Sequence, residues 1–173
     1  MYKIEIISRE NLDTILPLLE ILNHKTALEV IVQRLNSIRK SDYQCIGVYS
    51  DSQLIAISGV WILNKIYAGK HIEPDNVVVH PDFRNKGVGE LMMNWIHQYA
   101  VDLGCLTSEL NARVTNEAGN RFWKNQGYEI VGYHFIKRLA ERADKNSVNS
   151  CLRNADDFAS TTKENQLHNS KCC

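Results

Sequence analysis

Three prolines, nine glycines and an 8% aromatic share in 173 residues leave no room for a collagen-like or proline-rich architecture. Long apolar runs are missing as well: the longest mainly apolar stretch, Leu54 to Leu63, is broken by Ser58 and Gly59, far short of the ~18 residues that cross a bilayer. Neither sign of charge is in excess, because twenty Lys+Arg balance twenty Asp+Glu. A general electrostatic footprint for nucleic acid is therefore absent. The N-terminus has charges interleaved with apolar residues and no small-residue cleavage site, so it does not read as a secretory signal and a cytoplasmic protein without a membrane partner is expected. The five cysteines are odd in number and show no C-x-x-C spacing; Cys45 and Cys105 sit in apolar runs and read as reduced thiols.

What is present is ordinary for one globular domain: 44% hydrophobic and 23% charged residues. Tyr2 to Ile7 alternates like a strand, and Leu12, Ile15, Leu16, Leu19 and Leu22 follow at helical spacing, with Pro17 kinking that helix or starting a second segment. Leu28 to Ile38 carries another apolar stripe. Cys45 to Tyr49 and Leu54 to Leu63 form a hairpin around Ser50 to Gln53, and His71 to His80 a buried strand that Pro74 should distort or bulge. Val88 to Leu103 is the strongest helical pattern, closed by Gly104; Cys105 to Val114 reads as a strand, Asn116 to Gln126 as a helix and Tyr128 to Ile136 as a last strand. The expectation is an α/β fold in the broad sense, an α+β mixed sheet of about six strands with about four helices on its two faces. The domain should end near residue 140, with 141–173 a polar, flexible tail in which Val148 to Ala159 has helical spacing.

The informative stretch is Val77-Val78-Val79-His80-Pro81-Asp82-Phe83-Arg84-Asn85-Lys86-Gly87-Val88-Gly89. A buried strand and a polar turn lead to Arg-x-x-Gly-x-Gly at the mouth of an amphipathic helix. Glycines there let backbone N–H groups approach an anion, and the helix dipole adds positive potential, so phosphate is the natural ligand. The same glycines also serve a tight strand-to-helix connection. Neither the Walker pattern nor the three-glycine dinucleotide pattern is present.

Arg84, Gly87 and Gly89 match the central Gln/Arg-x-x-Gly-x-Gly/Ala signature of the GNAT superfamily of acetyl-CoA-dependent N-acyltransferases, and Asn116, Ala118, Phe122, Trp123, Gly127 and Tyr128 resemble its second segment. The resemblance covers residues 2 to 139. It implies a twisted central sheet with a splayed strand pair, a diphosphate cradle on the backbone of Arg84, Asn85, Lys86, Gly87, Val88 and Gly89, and pairing of Val77, Val78 and Val79 with the carrier's amides as an added strand. It also implies that the Val78 N–H serves as an oxyanion donor and that Asn116 contacts acetyl-CoA, although a helix N-cap explains Asn116 equally well.

By the same resemblance a carboxylate on the central strand acts as base toward the ammonium of the acceptor. Asp75 and Glu73 are the candidates, and a period of two puts both on one face with Val77. Gathered in a cleft, they would repel and one pKa would rise. The family's thiolate-protonating tyrosine falls on Trp123, which does not give up its proton; water, the acceptor's ammonium, or another phenol such as Tyr128 or Tyr133 is then left to protonate the thiolate, or catalysis is weak.

His24, Lys25, Glu29, Lys65, Tyr67, Lys70 and His71 line the acceptor side with no single sign of charge. The resulting expectation is transfer of an acetyl group from acetyl-CoA to a small-molecule primary amine. Protein acetylation and a catalytically silent acyl-CoA-binding module are the alternatives. No metal is expected, since His168 with Cys172 and Cys173 offers too few ligands for a closed site; a homodimer stays open.

Overall fold

Period-two segments pair first. Tyr2–Ile7 (β1), Gln44–Ser50 (β2), Gln53–Lys65 (β3) and Gly69–Val79 (β4) form successive antiparallel neighbours in the computed structural model, which describes residues 1–137 and 139. Thr107–Ser108 (β5) adds a parallel partner to β4, giving a five-stranded sheet in the order β1-β2-β3-β4-β5. Pro17 lies in the first turn of the helix Leu16–Leu22 (α1), where its missing N–H costs nothing and its fixed φ suits the helix; it therefore begins a segment rather than kinking one. Leu28–Ile38 (α2), Val88–Asp102 (α3) and Glu117–Asn125 (α4) complete the helices.

The helices bury the two faces of the sheet. Leu18, Leu19, Ile31 and Leu35 of α1 and α2 pack on Ile7, Cys45, Ile57 and Val78. On the opposite face Val88, Met92, Met93 and Ile96 of α3 meet Ile46, Val48, Val60 and Ile72, with Phe122 and Trp123 of α4 leaning on the same cluster. Cys45 and Cys105 are free thiols, and burial pushes the Cys45 thiol up to about 12, where it is unreactive.

Three expectations change. Pro74 stays in register opposite Val60, and the irregularity falls two residues later, where Gly59 faces Asp75 but Ile57 faces Val78. The residue that takes up the extra length is Asn76 at φ 51°, a left-handed conformation that Asn tolerates. The bulge flips side-chain parity: Val78 joins the α1/α2 core while Val77 packs toward α3, so Val77 does not share a face with Glu73 and Asp75. The strand expected over Cys105 to Val114 shrinks to two residues, because a ladder needs a neighbour and this stretch pairs with β4 only at Thr107 and Ser108, flanked by the bonds from Leu106 N–H to Lys70 O and Glu109 N–H to Ile72 O. Tyr128 to Ile136 is likewise no strand, having no partner among the described residues. Residues 140–173, including Cys172, Cys173 and the spacing around Val148 to Ala159, lie outside the described residues.

Candidate functional site

β4 and β5 part company early. Their parallel register holds only His71 with Thr107 and Ile72 with Ser108, after which β4 runs on from Glu73 to Val79 with β3 on one side and, among the described residues, no strand on the other. Backbone alternation decides which amides face that edge. The His80 N–H donates to Ile55 O of β3 at 2.8 Å, so two residues earlier the Val78 N–H also points at β3. Val77 and Val79 then present their groups to the fork, in agreement with Arg84 Nε donating to Val79 O at 3.0 Å. The oxyanion role expected for the Val78 amide is thereby corrected: its N–H belongs to the ladder and its side chain to the core.

At the mouth of the fork the chain turns into α3. Asn85 and Gly87 both take left-handed φ, 58° and 76°, and such alternation curls successive N–H groups into a concavity that suits anions. Gly87 is the N-cap and offers no side-chain acceptor to the first amides of the helix, so those of Val88, Gly89 and Glu90 stand with the dipole's positive end. The two glycines have different reasons. A Cβ at Gly87 would meet nothing within 4 Å, so only its φ requires glycine, whereas a Cβ at Gly89 would press on the Phe122 ring at 3.2 Å. Lys86 holds its ammonium 5.4 Å over the Phe83 ring. His80 accepts from the Asp82 N–H at 3.4 Å and caps the short turn Pro81–Phe83, the turn role its position suggests.

Glu73 and Asp75 do share the α1/α2 face, but each has its own partners. Glu73 Oε1 accepts from Lys65 Nζ at 2.7 Å and lies 3.4 Å from His71 Nε2; Lys65 also reaches Glu109 Oε2 at 3.0 Å. Burial pushes the Glu73 carboxyl up, yet the Lys65 hydrogen bond and charge, followed by those of His71, more than offset it and leave the group below its ordinary value. The mutual elevation anticipated for the pair therefore does not describe Glu73. Asp75 accepts from the Asn76 N–H and side-chain amide, both at 2.8 Å, and from Trp61 Nε1 at 3.5 Å, which ties it to the bulge. His71, Glu73 and Glu109 have ligand-like spacing, within 4.8 Å of one another, with the Lys65 ammonium bonded to both carboxylates as their counter-charge.

Lys65 and Glu109 are the residues that sequence reasoning did not connect to Glu73. They arrive from the far end of β3 and from just past β5. The hairpin register, which sets Lys65 opposite Gly69 and Trp61 opposite Glu73, was the available signal for Lys65; none existed for Glu109. Lys70, expected on the acceptor side, instead donates to Leu103 O at the end of α3, at 2.6 Å.

Asn116 caps α4, its Oδ1 accepting from Gly119 N–H at 3.0 Å. Trp123 packs edge-on against Phe122 and Tyr128, with ring centroids 4.9 and 5.5 Å apart. The Tyr128 hydroxyl is 2.5 Å from Ser108 Oγ and 3.0 Å from His97 Nε2, which places it at the apex of the fork; burial raises its pKa against the lowering effect of Ser108. Beneath α1 and α2 a cleft of about 150 Å³, lined by Leu19, Asn23, Arg34, Tyr43 and others, reaches the bulge at Asn76.

The model of the Acetyltransferase (GNAT) family matches residues 11–128. A curated relative, the uncharacterized N-acetyltransferase YhdJ of Bacillus subtilis (strain 168), is 23% identical over 135 residues, 77% of this chain and 95% of the relative. Among solved structures, ribosomal-protein-alanine N-acetyltransferase from Brucella melitensis biovar Abortus 2308 superposes with a TM-score of 0.70 at 16% identity, covering 81% of this chain and 100% of that one. Glucosamine-6-phosphate N-acetyltransferase from Arabidopsis thaliana does so with a TM-score of 0.61 at 21% identity, over 81% and 99%.

Proposed function

The chain belongs to the GNAT family of acetyltransferases, and from that premise we propose that it transfers an acetyl group from acetyl-CoA directly to the primary amine of a small molecule. The observation that carries this reading is the union of an open β4 edge with an uncapped, left-handed entry into α3. Acetyl-CoA, when bound, supplies the activated acyl group as a thioester. The backbone of Arg84 to Gly89 would hold its diphosphate through the first α3 amides, and Val77 and Val79 would hold its amide-bearing arm along the exposed β4 edge. Asn116 can contact the carrier with the atoms its cap leaves over.

On the α1/α2 face of β4 Glu73 is the ionised carboxylate that would draw in the acceptor's ammonium and receive its proton, with the Lys65 bond that holds it below its ordinary value limiting its strength as a base. Asp75 fits a positioning role, as its oxygens are held by Asn76. Calorimetric titration with coenzyme A should saturate, and a thiol-release assay with acetyl-CoA over a panel of amines and short peptides should find turnover on small amines. Glu73→Gln should lower the rate with little change in carrier affinity, and Asp75→Asn less so. Absence of carrier binding by folded protein would end this reading; binding without turnover on any amine would leave only a carrier-binding module.

A further inference from the structure

The cleft beneath α1 and α2 carries a charge that has no counterpart. Its walls are mostly apolar, from Leu19, Ile31, Leu35 and Ile38, and Arg34 is the one charged side chain that lines it. Arg39, just past the end of α2, is paired with Asp13. Arg34, exposed on the third turn of the same helix, has no ion-pair partner among the described residues. Its guanidinium stays charged at every working pH and presents its N–H donors as a planar fork. Two hydroxyls line the cleft with it. Thr26 supplies one, and Tyr43, a buried side chain, the other; burial pushes the Tyr43 phenol well above its ordinary value, so it acts as a neutral donor. No carboxylate is among the lining residues, so this set of donors suits an anion on an apolar stem.

The opposite pole lies at the β4 bulge. Asn76 lines the cleft there, and its backbone N–H and side-chain amide both donate to the Asp75 carboxylate, which shares the α1/α2 face of β4 with Glu73. An ammonium is drawn to that end and an anion to Arg34. Resting on the transfer to a small amine proposed above, we infer that the acceptor is a zwitterion: a primary amine whose carbon chain lies in the cleft and ends in a carboxylate or phosphate group held by Arg34. The planar fork takes either anion through two parallel hydrogen bonds. A neutral amine leaves the guanidinium unused, and a diamine sets a second ammonium against it, so the cleft selects by repulsion as well as attraction.

Thiol release from acetyl-CoA, run on short unbranched alkylamines, their ω-carboxylate and ω-phosphate counterparts and the matching diamines, reads this selectivity. An acid-bearing series should exceed the neutral amines in kcat/KM by about fivefold or more, a modest factor because Arg34 keeps contact with water, and the diamines should come last. Which acid-bearing series leads separates carboxylate from phosphate. Arg34→Met, checked for folding by circular dichroism, should collapse the preference through KM, and Arg34→Lys, which keeps the charge without the fork, should recover part of it. Equal turnover of neutral and acid-bearing amines by the wild type overturns the proposal, as does a loss in Arg34→Met that is the same for both. Failure of every amine to turn over would strike the transfer reading by itself. Thermal unfolding with the acid-bearing amines, with and without coenzyme A, then decides the cleft: a stabilisation that Arg34→Met abolishes upholds the assignment, and no stabilisation overturns it.

Discussion

Gly87→Ala tests whether backbone conformation, rather than side-chain chemistry, builds the cradle. Gly87 holds φ 76° and ψ −2° at the N-cap of α3, and a Cβ there meets nothing within 4 Å. Packing therefore contributes nothing to the cost, and the whole effect comes from forcing an L-residue into the left-handed region, about 1–2 kcal/mol. For a domain of this size each kcal/mol moves Tm by roughly 2–4 °C, so thermal unfolding of Gly87→Ala should fall by about 2–8 °C. Asn accepts this conformation, and Gly87→Asn should recover most of the loss. Coenzyme A affinity, read by calorimetry, should drop for Gly87→Ala beyond the stability effect if relaxation of the turn spoils the amide concavity. A Gly87→Ala protein that melts within a degree of the wild type, or an Asn variant no better than Ala, refutes the reasoning.

Lys65→Met removes the partner that holds Glu73 below its ordinary value and leaves Glu109 beside it; the Glu73 pKa should rise, and the acid limb of kcat/KM against pH should move to higher pH. In the wild type Glu73, depressed on folding, contributes stability above its unfolded pKa that is lost as pH falls through the folded value; urea unfolding across acid pH should show that slope reduced in Glu73→Gln. Gly59→Ala would drive a Cβ into the Tyr43 ring, an overpacking that should cost about 3 kcal/mol in urea unfolding. Asn116→Ala should cost about 1 kcal/mol by loss of the α4 cap, and Asn116→Asp should retain it; equal carrier affinity in both variants would limit Asn116 to capping.

Legibility varied with the range of the interaction. The turn from Arg84 to Gly89 could be read because its motif is contiguous and Gly87 reports a local need, a left-handed φ, whereas the close approach of Gly89 to Phe122 is a demand of the tertiary packing. The hairpins were legible for the same reason, since alternation and polar turns are local. The bulge was half visible. Pro74 announced an irregular strand, but Asn76 absorbs it, and the one extra residue of that bulge reverses the parity of Val77 and Val78 relative to Glu73 and Asp75. Nothing local could foretell that β5 leaves β4 after Ser108, or that Lys65 and Glu109 converge on Glu73 from separate elements.

By itself, then, the chain's order of residues determined the succession of elements, the family, the glycine-rich entry to α3 and the carboxylate-bearing strand, because periodicity, turn chemistry and a contiguous motif are properties of neighbours. Tertiary structure decided which amides face the fork and which charges surround Glu73. Those depend on the register between strands, where a shift of one residue turns every following group to the other side.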